Sequence, residues 1–189
     1  MLLLLGKMAQ KQKRHHAPYL REKTHLQLAS KNLSSVSVPD PHQADSSILG
    51  GQCPNLTFVY LENNFLTSMK GAFLGLPQLV QINLHNNQIA IMDCFEECTL
   101  LRKLYLEHNR ICRLEGLQNC QRLEELYIGD QKIGKCKFTF DEYSLAAISN
   151  TLEILDMPKV NLEQCKPLYF CENLISLNLS DNLIEDFEV

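Results

Sequence analysis

Residues 79–111 read LVQINLHNNQIAIMDCFEECTLLRKLYLEHNRI, and the stretch begins and ends on one eleven-residue phrase, LVQINLHNNQI from Leu79 and LRKLYLEHNRI from Leu101. In both copies leucine or isoleucine stands at positions one, four, six and eleven, and asparagine at position nine. Positions four and six alternate with polar neighbours, which sets them on the buried side of a short strand and positions three, five and seven on the open side. So short a strand cannot cover its own apolar side, so the phrase requires neighbours of its own kind.

Those neighbours are present. LTFVYLENNFL from Leu56, LEELYIGDQKI from Leu123, LEILDMPKVNL from Leu152 and LISLNLSDNLI from Leu174 follow the pattern, and KTHLQLASKNL from Lys23 keeps Leu26, Leu28 and Leu33. The six full copies start 23, 22, 22, 29 and 22 residues apart. This period, carried by L-x-x-L-x-L-x-x-N-x-L, is that of a leucine-rich repeat. The expected fold is α/β, a right-handed leucine-rich-repeat solenoid or horseshoe, with a parallel sheet on the concave face and short helices or 3₁₀ turns on the convex face.

The expected organisation is a basic, solvated N-terminal arm over residues 1–18 and one domain of seven repeats over residues 19–189. Between the first two copies SVPDPHQADSSILGGQ, rich in proline, glycine and serine, is expected to form a surface loop at residues 37–52. The copy at 123–151 is longer than the rest. No C-terminal cap follows the seventh copy, which predicts an uncovered apolar end.

Three places beyond each phrase an apolar residue should close the core: Val36, Met69, Met92, Leu114, Cys136, Cys165 and Phe187. The asparagines at position nine, Asn64, Asn87, Asn109 and Asn182, should bond the backbone groups left unpaired by the turn out of each strand. Gln131 and Val160 replace asparagine on either side of the irregular spacing, where the ladder is expected to break.

The eight cysteines follow the repeat: Cys53, Cys98, Cys120 and Cys171 each precede a first leucine by three places. They read as small buried hydrophobes in a reducing compartment, without disulfides and without zinc-ligand spacing. Asn32-Leu-Ser34, Asn55-Leu-Thr57 and Asn178-Leu-Ser180 match a glycosylation triplet because their middle residue is a motif leucine.

Catalytic signatures are missing from the sequence. It has no phosphate-cradling glycine loop, no H-E-x-x-H and no G-x-S-x-G. His85 with Glu107 and His108 on the next copy is the nearest approach to a metal cluster, and three ligands without a fourth read better as a partner-facing group. Neither an enzyme, a cofactor nor a metal is expected.

The formal net charge of −4 conceals an asymmetry, since residues 1–23 carry six Lys/Arg against Glu22 alone. Such an arm can meet an acidic surface, including a microtubule, but no aromatic residues interleave its basic ones as nucleic-acid binding favours. Leu2–Leu5 is far shorter than the roughly 20 residues of a membrane span or the apolar core of a secretory signal. The expectation is therefore a cytoplasmic protein with neither nucleic-acid nor membrane partners.

What remains is the open face. Position five holds Tyr60, Tyr105, Tyr127 and Asp156, with Phe58 at position three beside Tyr60 and Glu62, Glu107 and Glu125 around them. Tyrosines on a rigid sheet bury much area at small entropic cost, and the carboxylates would attract a basic partner surface. These eight residues form the expected protein-binding site.

The N-x-I-x-x-I/L rhythm of NNQIAIM, HNRICRLEGL and DNLIEDF, the 22-residue spacing and KFTFDEYSLAAISNTLEIL in the longer copy resemble the intracellular leucine-rich-repeat class of protein phosphatase 1 regulatory subunits, of the testis type. The resemblance runs over roughly residues 19–189 and is strongest after Leu79. It implies a regulatory or targeting subunit whose partner is the phosphatase catalytic subunit, with tubulin or microtubule-associated proteins as further partners and a place at the cytoskeleton or centrosome. Lys137-Phe138-Thr139-Phe140 has the basic residue and final aromatic of a phosphatase-docking motif, but phenylalanine where valine or isoleucine is preferred.

Overall fold

The computed structural model describes residues 16–36 and 48–185. Each phrase becomes one three-residue strand: β1 His25–Gln27, β2 Phe58–Tyr60, β3 Gln81–Asn83, β4 Lys103–Tyr105, β6 Glu125–Tyr127, β8 Ile154–Asp156 and β9 Ser176–Asn178. They form one seven-stranded parallel sheet in the order β1-β2-β3-β4-β6-β8-β9. The register is the repeat itself, so that Val59, Ile82, Leu104, Leu126, Leu155 and Leu177 lie side by side across the sheet. Parallel neighbours require the chain to cross over and return between strands, and some 20 residues per copy provide that crossover.

From Leu26 to Met157 the residues at positions four and six are buried, at 2% exposure or less. They belong to one continuous core, closed on the returning side by Met69, Met92, Leu114 and Cys165. Each fully buried leucine contributes about 1.5–3 kcal/mol. At β9 the pattern keeps its residues but not its cover: Ile175, Leu177 and Leu183 are exposed.

Returning segments are short. Helices α1 His16–Arg21, α2 Ile48–Gln52 and α3 Glu142–Ile148, and a 3₁₀ helix at Lys166–Phe170, are joined by turns. Helix α3 starts on Asp141, whose carboxylate accepts the Ser144 N–H at 2.9 Å, a good N-cap. Pro167 stands in the first turn of the 3₁₀ helix, where its missing N–H costs nothing. Among the described residues, no helix is long and apolar enough to cross a membrane.

Several expectations need correcting or placing. Of the basic arm, residues 1–15 lie outside the described residues, as do residues 37–47 of the loop and the closing Phe187. The end of that loop is helix α2 rather than coil, with Leu49 fully buried. Cys136 does not close the core. It is exposed; Phe140 takes the place opposite Leu114, half-buried against the core, and Phe138 beside it is buried. The cause is a bulge: strand β5 Arg113–Leu114 pairs in parallel with β7 Thr139–Phe140, so Arg113 meets Thr139, not Lys135 as the repeat count would have it. Residues 134–137 loop out, and Cys136 goes with them.

Candidate functional site

The turn after each strand decides where the open-face side chains stand. At position nine, Asn64 Oδ1 accepts the N–H groups of Lys31 and Leu33 while its Nδ2 donates to the carbonyls of Leu28 and Leu61. Asn87 and Asn109 bond the preceding copies in the same way. The ladder was expected to break at both Gln131 and Val160; it breaks at Val160 alone. Gln131 extends it, accepting from Ile111 N and donating to Leu106 and Ile128 carbonyls, because its longer side chain still carries both ends of the amide. Apolar Val160 cannot, and ladder bonding resumes with Asn182.

Position eight carries a second regularity that the sequence reading missed. Ser30, Asn63, Asn86, His108, Asp130, Lys159 and Asp181 all have φ between 52° and 57°. Four of the seven are asparagine or aspartate, the residues that tolerate left-handed backbone best after glycine. The signal was there in the column. It turns the chain sharply from the sheet, leaving positions three, five and seven half-buried on the open face.

Three rows of side chains cross that face. In the position-five row, Tyr105 and Tyr127 are stacked with centroids 4.8 Å apart and planes 5° from parallel. Tyr60 is two strands from Tyr105, with Asn83 between them in the register, so the structure unites two of the three expected tyrosines. Asp156 accepts the Asn178 amide at 2.6 Å. In the position-three row Phe58 stacks on His25 at 4.5 Å, and Glu125 binds Lys103 at 2.7 Å and accepts the Tyr127 hydroxyl at 3.3 Å.

The position-seven row runs Glu62, His85, Glu107 and then Gly129, where an added methyl would overlap Pro158. Glu62 Oε2 and Glu107 Oε2 are buried oxygens that accept no hydrogen bond among the described residues. His85 between them is held by Asn83, Oδ1 to Nδ1 at 2.7 Å. Most other acids nearby are answered: Glu124 by Arg102 at 2.6 Å and Asp130 by Lys159 at 3.5 Å. Arg102, Lys103 and Lys159 thus answer part of the expected acidic face, while Glu62, Glu107, Glu153 and Asp156 make no salt bridge among the described residues.

Burial raises the Glu107 carboxyl above the ordinary glutamate range, with Asp156 and Asp130 adding to it, and lowers the His85 imidazole despite the opposing pull of Glu62. Burial and then Glu125 raise both Tyr105 and Tyr127, so the hydroxyls stay protonated donors. Among the described residues, no group of three or more His, Cys, Asp or Glu is placed to hold a metal ion. A second surface escaped the sequence reading: Leu145 and Ala146 of α3 and Pro167, Tyr169 and Phe170 line an apolar groove on the returning side, with Phe170 exposed.

Residues 54–111 match the sequence profile of the family described as leucine rich repeat. Solved structures share the fold, two internalins among them. An internalin of Listeria monocytogenes superposes with a TM-score of 0.71 at 22% identity, covering 89% of this chain and 44% of its own, so the chain spans less than half of that protein. Internalin C2 of the same species gives a TM-score of 0.65 at 19% identity over 97% of this chain and 85% of its own. No curated protein is significantly similar to the chain. The fold is therefore a leucine-rich-repeat solenoid.

Proposed function

We propose that the open face binds another protein, with the Tyr105–Tyr127 stack as anchor and a basic partner group at the carboxylates beside it. One observation carries the reading: Glu62 and Glu107 each hold a buried carboxylate oxygen without a hydrogen bond among the described residues, in the row next to the stack. A buried carboxylate oxygen without a hydrogen bond is costly, and a lysine or arginine from a partner would satisfy it. The stem of such a side chain would lie along the tyrosine rings. Phe58, Tyr60, Glu125 and Asp156 form the surrounding contacts.

The finer identity of the partner rests on resemblance. The repeat rhythm and spacing over residues 101–187, read as those of the protein phosphatase 1 regulatory class, support a non-catalytic regulatory or targeting subunit that holds the phosphatase catalytic subunit in the cytoplasm, at the cytoskeleton or centrosome. The basic residues before Thr24 favour a second reading, a microtubule, centrosome or cilium scaffold without phosphatase contact. Affinity purification from expressing cells, scored for phosphatase catalytic subunit and tubulin, separates them. Phosphatase recovered with the native chain and lost with Tyr105→Ala/Tyr127→Ala supports the first reading. Tubulin without phosphatase, retained by the variant, supports the second. Recovery of neither by the native chain rejects both.

A further inference from the structure

Three hydrogen-bond acceptors stand in line at position seven, and the described residues provide no donor for them. Asn83 fixes the middle one. Its Oδ1 accepts the His85 backbone N–H at 3.3 Å, so the same oxygen, 2.7 Å from the ring Nδ1, accepts from Nδ1–H as well. With that proton on Nδ1, neutral imidazole leaves Nε2 an acceptor, and burial, which lowers the ring's pKa despite Glu62, favours the neutral form. One copy before and one copy after stand Glu62 and Glu107, whose Oε2 atoms accept no hydrogen bond among the described residues. A carboxylate turns easily about its last bond, so these oxygens can be presented to a donor on the open face.

Tyrosines wall the same place. Tyr127 covers one face of the Tyr105 ring, so the other face looks across β3, where short Asn83 leaves space, toward Tyr60. The strands that carry Glu62 and Glu107 are two spacings apart, about 9.6 Å, which is wide for a single metal ion to gather. The donors of one ammonium nitrogen bridge acceptors no more than about 5 Å apart, whereas the forked N–H groups of a guanidinium bridge roughly 8 Å. Two glutamate side chains can close the remainder.

We infer that this row seats an arginine of the partner protein, its guanidinium lying over Asn83 and His85 against the free face of Tyr105 and donating to Glu62, His85 Nε2 and Glu107. The inference rests on the open face being the protein-binding site and adds which basic residue that site selects. A guanidinium is planar, stacks on aromatic rings and is more weakly hydrated than an ammonium, so it enters a half-buried slot at smaller cost.

The test titrates the folded chain with two fluorescein-labelled peptides of equal charge, one with three arginines spaced by glycines and one with lysines in their place, read by fluorescence anisotropy. The arginine peptide should bind at least about fivefold tighter. Glu62→Gln/Glu107→Gln should remove that preference, and Glu153→Gln/Glu172→Gln, which deletes the same charge from exposed positions outside the row, should keep it. Circular dichroism checks that every variant folds. In nuclear magnetic resonance spectra of the native chain, which need no variant, the arginine peptide should shift the His85 ring signals. Absence of binding by the arginine peptide, equal affinities for the two peptides, a preference that survives Glu62→Gln/Glu107→Gln, or unmoved His85 signals would overturn the arginine seat. If the peptides bind without arginine preference and Tyr105→Ala/Tyr127→Ala abolishes that binding, the open face remains the site. If neither the tyrosine nor the glutamate variant weakens binding, the reading of the face fails with the seat.

Discussion

Gln131 accepts the Ile111 N–H at 2.9 Å, joining the fifth repeat to the fourth as Asn109, accepting from Ile89 N at 3.0 Å, joins the fourth to the third. Both side chains are buried, so each amide serves groups that water cannot reach. Asn109→Ala would strand the Ile89 N–H and the Leu84 and Leu106 carbonyls. The expected cost is on the order of 3 kcal/mol. Gln131→Ala should cost about as much, and Gln131→Asn, which keeps an amide, much less. Urea unfolding midpoints measure the three; equal midpoints for Asn and Ala at 131 would contradict the ladder.

Core position four should show the same dependence on neighbours. Leu104 is fully buried between Ile82 and Leu126, whereas Leu177 on the last strand is 46% exposed. Leu104→Ala should destabilise by about 2–5 kcal/mol, through lost contacts and a residual cavity. Leu177→Ala should cost well under half of that. Thermal unfolding of both variants makes the comparison, and similar losses would mean that the last strand is covered in solution.

How far the sequence could be read follows from the kind of signal each feature leaves. Strands with a two-residue alternation, repeated every 22 residues, write themselves into the leucines, and all seven appear where the phrases stand. Cys136 was misplaced because an inserted bulge shifts pairing by whole residues without disturbing composition, and Phe140 then stands opposite Leu114 with Phe138 buried beside it. Helix α2 was invisible because Ile48–Gln52 contains two glycines and only its packing, with Leu49 buried, holds it. On the open face, adjacency of Tyr105 and Tyr127 could be counted from successive copies, but their stacking could not. Lys103 likewise answers Glu125 from the same position one copy away, a pairing the sequence placed in reach without showing that it neutralises the site.

Left-handed backbone at position eight makes an exposed residue matter. Asn63 has φ of 56° and its side chain is exposed. Asn63→Val puts a β-branched side chain into that conformation and should cost about 1–2 kcal/mol, although it removes no core contact. Asn63→Gly should be nearly neutral, its gain in conformational fit offset by chain entropy. Equal stability of the valine and glycine variants in denaturant titrations would show that the turn is not what the position demands.

Acid should weaken the fold through His85 in a defined window. Its folded value lies below the ordinary 6.5, with burial the larger cause, Glu62 opposing and His108 reinforcing. Protons therefore bind the unfolded chain first, so the stability His85 contributes is complete above about pH 6.5 and is lost as pH falls through its lowered folded value. Glu107, raised in the fold, has the opposite slope: its protonated form suits the native state, and it costs stability as pH rises through its folded value. His85→Gln should flatten the loss between neutral pH and the Glu107 range and leave the Glu107 slope intact. Unfolding midpoints of native chain and variant at several pH values decide it; parallel profiles would remove His85 from the account.

The partner-binding face offers two kinds of change with different kinetic signatures. Tyr105 and Tyr127 present a rigid stacked surface, and burying it against a partner slows dissociation, so Tyr105→Ala should weaken binding by about 2 kcal/mol or more, mostly through the off-rate. Glu125 is already bound to Lys103 and sits toward the edge, so Glu125→Lys should mainly slow association and flatten its salt dependence. Glu62 and Glu107 differ again: each has a buried oxygen awaiting a donor, and Glu107→Gln should raise the off-rate for a basic partner while easing the burial of an unpaired charge in the free chain. Binding loss would then accompany a gain in stability, which a merely structural role does not predict. Surface plasmon resonance with the partner recovered by affinity purification, paired with urea unfolding of the free variants, reads both quantities. If the Tyr60→Ala/Tyr105→Ala/Tyr127→Ala variant folds and binds with unchanged affinity, the open face is not the site, and the basic residues before Thr24 or the segment at 37–52 take its place.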